Sequence, residues 1–361
     1  MNPQGKTPAG AFDVRNHRFQ SGKIASDFFW IAVLPPGGHH RGNHRDLPHD
    51  CEPMNTPIAY LNGQYLPIEQ AHLHVFDLGV VGGVSVTEMT RTFRHVPFLL
   101  DQHLDRLVHS LEVAGIDVTQ TKADFQDICE EVVRQNAPLI PAEHDLGLTV
   151  FATAGQNLTY LGRREHARVN EPTVCVHSFP LPFELWADSY DAGLHLVTVN
   201  TRSIPDDVID PRIKHRSRLH WHLAAREARQ IDPHAMAILE DDQDQLTETA
   251  TGNVCVVDGT TIISPAGHVL AGISREYLAK LASQLGLSFI HAPVTAEDLS
   301  HADEALLTST PPCALPITRF NQKPIGSGQP GPVYRQLMDA WSKSVGLDII
   351  DQMRRGAIDR R

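Results

Sequence analysis

A short β-hairpin places the strongest local constraint on how this chain folds. Two apolar segments, residues 58–61 and 64–67, flank the dipeptide Asn62-Gly63. Asn-Gly suits a two-residue turn in which both residues have positive φ, and such turns join antiparallel strands. The patterned part of the chain therefore begins with antiparallel β-structure.

Helices and further strands follow this hairpin at once. Residues 101–116 predict a helix with Leu104, Leu107 and Leu111 on its apolar face and Gly115 at its end. A second helix is predicted near 121–136, and strands are predicted at 146–153 and 172–178. Together these elements predict a small α+β domain over residues 57–178.

Composition divides the rest of the chain. Residues 1–56 are dominated by Pro, Gly, Asn, His and Arg and predict a disordered extension, of which residues 1–53 are expected to be dispensable. The prolines of 179–193 predict an interdomain linker. Strands and helices alternate over 194–347 and predict a larger, β-rich α/β domain, followed by a loose charged tail at 348–361.

Charge and composition exclude several functions. The net charge of −12 argues against nucleic-acid binding, and no apolar run is long enough to span a membrane. The five cysteines are scattered without metal-ligand spacing, and the histidines of the extension lack acidic or thiol neighbours, so no metal site is predicted. Free thiols suit a reducing cytoplasm, which is the expected location.

Lys214 occupies a position that suits a reactive amine. Asp210-Pro211 predicts a turn, and a helix is predicted from near Ser217 with Leu219, Leu223 and Ala224 on its buried face. Lys214 lies between the turn and the helix, so its amine is aimed at a fixed point and can form a Schiff base. The chain has only seven lysines. The simpler alternative is a solvated lysine at a helix start.

A second block lies thirty-four residues beyond Lys214. Leu246-Thr-Glu-Thr-Ala-Thr-Gly-Asn-Val places a carboxylate before a small polar turn and a strand. With these two blocks the chain resembles the class IV aminotransferases, pyridoxal 5'-phosphate (PLP) enzymes of fold type IV. The resemblance implies that Lys214 binds the cofactor aldehyde as an aldimine. It also implies that Glu248 faces the ring nitrogen, where an anion keeps the ring an electron sink.

Further blocks extend the resemblance over residues 57–345. His103 to Leu107 matches the family's His-x-x-Arg-Leu motif, which implies that Arg106 holds the cofactor phosphate; a surface arginine is the alternative. Ala271 to Glu276 matches a phosphate-binding helix start and implies contacts from Ile273 and Ser274, although Ser274 also suits a helix cap. The turn after the strand at 304–309 matches a second phosphate-binding hydroxyl at Thr310.

The chain departs from the family in its substrate pocket. The loop and strand from Phe76 to Phe93 resemble one wall of that pocket, to which Gly82, Thr87 and Glu88 are assigned. Relatives commonly place aromatic rings at positions 82 and 87, so the pocket is expected to be wider here. Arg163, Arg164 and Arg168 lie in a polar loop, and one of them is a possible partner of a substrate carboxylate.

The resemblance implies a two-domain enzyme similar in fold to D-amino-acid aminotransferase. The preferred function is transfer of an amino group between an amino acid, of branched-chain type, and a 2-oxo acid. Alternatives are aminodeoxychorismate lyase, which releases pyruvate, and a PLP-binding protein without turnover. Relatives are homodimers, and the apolar loop after Asp77 suits a two-fold interface. The amino donor, the acceptor and the stereochemistry stay open.

Overall fold

The computed structural model describes residues 56–161 and 171–358, which belong to one compact unit. Three sequence predictions lie outside the described residues: the N-terminal extension up to residue 55, the arginines Arg163, Arg164 and Arg168, and the last three residues of the tail.

The first part of the chain forms a six-stranded sheet in the order β2-β1-β6-β5-β3-β4, and every pair is antiparallel. Its turn at Asn62-Gly63 has φ values of 48° and 89°, so the predicted hairpin is confirmed. The elements are β1 (Ile58–Leu61), β2 (Gln64–Pro67), α1 (Leu78–Val81), β3 (Ser85–Phe93), β4 (Val96–Pro97), α2 (Leu100–Ala114), α3 (Lys122–Asn136), β5 (Leu146–Thr153), α4 (Leu158–Leu161) and β6 (Thr173–Pro180).

Helices α2 and α3 cover one face of this sheet. Helix α2 ends at Gly115 with φ of 64°, and α3 starts with a capping box between Thr121 and Asp124. Leu104, Leu107 and Phe125 are fully buried between these helices and the strands. Met89 and Phe93 of β3 pack instead with residues of the second half of the chain.

The second part forms a nine-stranded sheet in the order β12-β11-β10-β13-β14-β7-β8-β9, with β15 beside β14. Its pairs are mixed, since β7 runs parallel to β8 and β14 while β10 runs antiparallel to β13. The elements are α5 (Ser189–Ala192), β7 (Leu194–Thr198), α6 (Leu219–Ile231), β8 (Met236–Glu240), β9 (Leu246–Thr249), β10 (Asn253–Asp258), β11 (Thr261–Pro265), α7 (Ile273–Gln284), β12 (Ser288–Ala292), α8 (Ala296–His301), β13 (Glu304–Ser309), β14 (Cys313–Phe320), β15 (Lys323–Pro324), α9 (Pro332–Val345) and α10 (Ile349–Ile358).

Two sequence predictions about packing are wrong. The sequence predicts a loose tail, but residues 349–358 form α10, in which Ile349 and Met353 are fully buried. The buried face of α6 consists of Trp221, Ala224 and Ala228, whereas Leu219 is 71% and Leu223 is 41% exposed. Small alanines let α6 approach the β7–β8 surface closely, and the leucines point away from it.

The described residues include four cysteines, all buried and unbridged, and they contain neither a helix suited to cross a membrane nor a cluster of metal ligands. The segment 179–193 is not extended throughout, because a 3-10 helix at Phe183–Leu185 and α5 interrupt it. Leu181 and Phe183 in this segment are fully buried, so it packs as part of the core.

Candidate active site

Backbone hydrogen bonds fix Lys214 against the edge of the first sheet. The Thr87 N–H donates to the Lys214 carbonyl (2.8 Å), and the Arg216 N–H donates to the Ser85 carbonyl (3.0 Å). The Lys214 N–H donates to the Ser110 hydroxyl on α2 (3.2 Å). The lysine segment therefore extends the sheet beside β3, and Lys214 lies five residues before α6, close to the predicted position.

The surroundings of Lys214 favour a neutral amine. Burial lowers the pKa of Lys214 to about 8, and the positive charge of Arg106 contributes to the lowering. Glu88 and Glu248 oppose this effect without cancelling it. An amine with this pKa is partly neutral near pH 7 to 8, and so it can act as a nucleophile or a base.

A buried charge network lies beside the lysine. The Glu88 carboxylate accepts bonds from Arg106 Nε (2.6 Å), Arg106 Nη2 (2.8 Å) and His103 Nδ1 (2.8 Å). Burial alone would raise the pKa of Glu88, but the charge and hydrogen bonds of Arg106 and His103 lower it to about 2. Glu88 is 1% exposed, so its carboxylate holds Arg106 and does not line an open pocket wall as the sequence suggested.

Arg106 also reaches the second half of the chain. Its Nη1 donates to the Ala271 carbonyl (2.6 Å), immediately before α7. Three of the five guanidinium N–H groups are thus used, and two remain for another acceptor. The surface-arginine alternative is wrong, because the Arg106 side chain is only 12% exposed.

The N-terminus of α7 stands next to this arginine. The helix begins at Ile273 after Gly272, without a side-chain cap, so Ser274 is inside the helix and is not its cap. The first N–H groups of a helix have no partner within it and attract anions. A Cβ on Gly272 would lie 1.9 Å from Asn253 Oδ1, so this close turn requires glycine. Arg275 in the first turn of α7 is buried, and its Nη1 has no hydrogen-bond partner among the described residues.

Glu248 is held in place by one of its oxygens. Glu248 Oε2 accepts bonds from Asn253 Nδ2 (3.1 Å) and the Leu270 N–H (3.2 Å). Glu248 Oε1 accepts none from the residues that the structure describes. Burial raises the pKa of Glu248, and the Leu270 N–H and the charges of Lys214, Arg218 and Arg275 oppose that rise. A cleft lined by Lys214, Arg218 and Glu248 opens between them.

Thr310 lies in the turn between β13 and β14. The preceding Ser309 hydroxyl donates to the Thr251 carbonyl (2.7 Å), and buried Arg91 donates to the Pro311 carbonyl (2.8 Å). Strand β13 pairs with β10 through Asn253 and Thr308, so this turn is beside the Glu248 region. The sequence gave no role to Arg91, whose partners are distant along the chain.

The loop before β3 reaches the lysine segment. The Ser217 hydroxyl donates to the Gly83 carbonyl (2.7 Å), and Gly82 ends the short α1. Thr87 donates its hydroxyl to the Val150 carbonyl (2.9 Å) within the sheet. The Val80, Val81 and Val84 side chains are 37–56% exposed, so this apolar loop does not fold inward.

The strands and helices that carry these residues match one known protein family. The profile of the amino-transferase class IV family matches residues 85–320, which is more than half of the chain. The chain belongs to the class IV aminotransferase family. This is a family of pyridoxal-phosphate enzymes, and the sequence resemblance is therefore confirmed.

Several relatives cover most of the chain. A putative branched-chain-amino-acid aminotransferase of Methanocaldococcus jannaschii is 29% identical and aligns over 78% of this chain and 93% of its own. A D-alanine aminotransferase of Bacillus licheniformis is 26% identical, over 79% and 95%. The crystal structure of the branched-chain aminotransferase from Thermoproteus uzoniensis with norvaline has a TM-score of 0.70 at 23% identity, over 80% and 95%. The predicted fold type is confirmed.

The sequence missed several residues of this site. The motif from His103 to Leu107 was recognised, but no role was assigned to His103. Its spacing of three residues from Arg106 places both side chains on one side of α2. Ser110 carried no signal, because its partner Lys214 belongs to a distant segment, and Arg275 bonds only to the neighbouring Glu276 among the described residues. The structure nevertheless places Lys214 and Glu248 on one cleft, and it places Arg106 close enough to affect the Lys214 amine and in contact with Ala271 before α7.

Proposed function

We propose that this protein is a pyridoxal-phosphate aminotransferase that moves an amino group between an amino acid, preferably branched-chain, and a 2-oxo acid, with Lys214 as the residue bonded to the cofactor. The observation that carries the proposal is the position of Lys214, which backbone hydrogen bonds hold at the β3 edge and which lines one cleft with Glu248. Burial lowers the pKa of its amine to about 8. Membership of the class IV aminotransferase family supports the reaction class, and this geometry supports the residue roles.

The residues around the cleft suit pyridoxal phosphate at both ends. Two unused N–H groups of Arg106 and the first turn of α7, with Ile273 and Ser274, suit a phosphate. Thr310 would add a hydroxyl at the neighbouring turn. At the other end, Glu248 Oε1 is available to accept a bond from a ring N–H. When bound, the cofactor supplies an electron sink for the carbanion at the substrate carbon.

Lys214 would carry the proton chemistry. Ser110, Thr87 and the β3 edge hold the backbone of Lys214, so its amine would stand at a fixed point from which it could take a proton from the substrate carbon and return it nearby. A pKa of about 8 lets the amine serve both as base and, after protonation, as acid. Glu88 fixes Arg106 in place, although the charge of Glu88 itself raises the pKa of Lys214.

The preference for branched-chain substrates rests on relatives and on pocket size. Relatives carry the names branched-chain and D-alanine aminotransferase. Gly82 and Thr87 leave the pocket wall without large rings, which suits a bulky aliphatic side chain better than a narrow site. None of the relatives compared above is named as a lyase, so pyruvate elimination is not favoured.

We also infer a homodimer. Val80, Val81 and Val84 expose an apolar surface on the loop beside Ser217, which is costly in water. A second copy of the chain would cover this surface and close the cleft. Sedimentation equilibrium of the holoenzyme is expected to give twice the mass of one chain. A single-chain mass at micromolar concentration, with full activity, would contradict the dimer.

The absorbance spectrum of the purified holoenzyme tests the function. Addition of L-leucine, L-valine, L-glutamate, D-alanine or D-glutamate, each alone, is expected to convert the cofactor to its amine form with the L-branched-chain members. A matching 2-oxo acid is expected to reverse the change. Conversion by D-amino acids alone would reject the branched-chain assignment, and pyruvate release from aminodeoxychorismate without an acceptor would reject transfer.

A further inference from the structure

Arg216 lies two residues beyond Lys214 on the same extended segment. Its N–H pairs with Ser85 while Thr87 pairs with Lys214, so both side chains point to the same face of the sheet as Thr87. The guanidinium carbon of Arg216 lies 5.1 Å from the centre of the Phe151 ring. Phe151 is the cross-strand neighbour of Thr87. Arg216 thus stands over the predicted pocket wall.

The guanidinium of Arg216 has no acidic partner among the described residues. Other arginines of the chain do: Arg212 is bound to Asp210, and Arg106 to Glu88. The neighbours of Arg216 do not supply a negative charge either. Burial, followed by the charge of Arg216, lowers the pKa of His177 to about 4, and burial raises the pKa of Cys175 to about 12 despite Arg216.

We propose that Arg216 binds a carboxylate of the substrate. This proposal rests on the aminotransferase function proposed above and names a recognition residue for it. Lys214 and Arg216 leave the same face of one extended segment about 6.6 Å apart along the backbone, so their long side chains can reach two groups of one small molecule. A substrate whose amino group meets Lys214 can therefore place a carboxylate at Arg216. The Phe151 face holds the planar guanidinium while its edge donates to the two carboxylate oxygens.

The carboxylate has two possible sources. Every α-amino acid carries one beside the reacting carbon, and glutamate or 2-oxoglutarate carries a second on the side chain. Both present the same acceptor pair to a guanidinium fork. The binding experiment has to distinguish these sources by using ligands with one carboxylate, two carboxylates or none.

Calorimetric titration of the holoenzyme provides this distinction. The ligands are 4-methylvalerate, glutarate and the neutral 4-methylvaleramide, each titrated into wild type, Arg216→Gln and Arg216→Lys. The change to glutamine is expected to weaken binding of a carboxylate about 10- to 100-fold, the range for a lost charge-assisted hydrogen bond. Binding of the amide is expected to be unchanged. Lysine keeps the charge without the fork and is expected to fall between wild type and glutamine.

Arg212→Gln is the matched control. Arg212 lies two residues before Lys214, but its guanidinium is bound to Asp210 and is 64% exposed. This variant is expected to bind all three ligands within about twofold of wild type, because it removes no contact of the cleft. The cofactor absorbance of each variant, recorded before titration, reports that the site is loaded.

The outcomes separate the alternatives. Weaker binding of both acids in Arg216→Gln identifies the α-carboxylate as the ligand, and weaker binding of glutarate alone identifies a side-chain carboxylate. Wild-type affinities for both acids in Arg216→Gln would overturn the proposal. If the glutamine variant fails to fold, wild-type affinity in the lysine variant would overturn it equally. Failure of the wild type to transaminate would reject the proposed function without deciding carboxylate binding.

Steady-state kinetics distinguish a role of Arg216 in carboxylate binding from a structural role. Arg216→Gln is expected to raise KM for L-leucine and for its 2-oxo acid with a smaller change in kcat, because a carboxylate contact acts mainly on binding. Turnover of 3-methylbutylamine, which lacks a carboxylate, is expected to be unaffected or faster. An equal loss of kcat on leucine and on the amine would point to a structural role and contradict the proposal.

Discussion

Two charged regions lie beside each other at Lys214 and differ in how their charges are balanced. In the network of Glu88, His103 and Arg106, each group is bound to another within the chain. The segment from Lys214 to Arg218 carries three cations, and none has an acidic ion-pair partner among the described residues. Within the part of the chain that the structure describes, Arg218 donates only to the Ala250 carbonyl and lies over the Trp221 ring. We therefore expect the paired charges to stabilise the fold and the cations without an acidic partner to be available to a ligand.

Lys214→Ala gives the largest expected loss of activity. Removal of the proposed general acid-base group is expected to lower kcat by at least about 10²- to 10⁴-fold. Because the cost of desolvation lowers the pKa of Lys214 to about 8, loss of this amine is expected to leave the free energy of unfolding of the cofactor-free protein unchanged or higher. Steady-state kinetics and urea denaturation measure the two effects. A marked loss of stability in Lys214→Ala would show that this segment stabilises the fold, as the network of Glu88, His103 and Arg106 does.

Glu88→Gln tests whether the paired charges of the network stabilise the fold. The change leaves buried Arg106 without its anion and is expected to cost about 3–5 kcal/mol of unfolding free energy. Glu112→Gln, on the exposed side of α2, is the control and is expected to change stability little. Equal unfolding free energies of Glu88→Gln and Glu112→Gln would show that the network does not stabilise the fold.

Acid titration sharpens the same test. The folded-state pKa of Glu88, about 2, is below its ordinary value of 4.5, so its contribution to stability is fully present above pH 4.5. That contribution is lost as the pH falls through about 2. The stability difference between wild type and Glu88→Gln is therefore expected to shrink between pH 4.5 and pH 2. A difference independent of pH over this range would contradict the ion pair.

Arg106→Ala links the two regions, because Arg106 is bound to Glu88 and also lies near α7. The cofactor dissociation constant is expected to rise about 10- to 100-fold, corresponding to a charge-assisted contact of roughly 1.5–3 kcal/mol. Arg106→Lys keeps a charge for Glu88 but loses the fork, so it is expected to recover stability more than cofactor affinity. An unchanged dissociation constant in both variants would remove Arg106 from the cofactor site.

The smallest expected effect is a shift in pH dependence. The charge of Arg106 lowers the pKa of Lys214, so its removal is expected to raise that pKa above about 8. The reaction of the cofactor-free protein with pyridoxal phosphate requires the neutral amine, and its rate is expected to rise through about pH 8 in wild type. In Arg106→Ala the midpoint is expected at higher pH. A midpoint at or below that of wild type would contradict this electrostatic coupling.

Local signals in the sequence predicted much of this molecule. The Asn62-Gly63 turn, helix α2 and the position of Lys214 all depend on neighbouring residues, so a pattern along the chain was sufficient. The Glu88 pairing was not accessible in this way, because its partners belong to a different element. Arg91 is bound to Gln352 on α10, 261 residues further along, and no local pattern indicates such a contact. The exposed Leu219 and Leu223 likewise follow from tertiary packing that helical periodicity does not contain.

Covalent trapping of the cofactor tests the assignment of Lys214 most directly. The holoenzyme is reduced with borohydride and digested, and the labelled peptide is identified by mass spectrometry. The label is expected on Lys214, in a peptide from the segment between Asp210 and Trp221, and it is expected to be absent from Lys214→Ala. A label on any of the other six lysines in the wild-type protein, or a trapped cofactor in Lys214→Ala, would contradict the account.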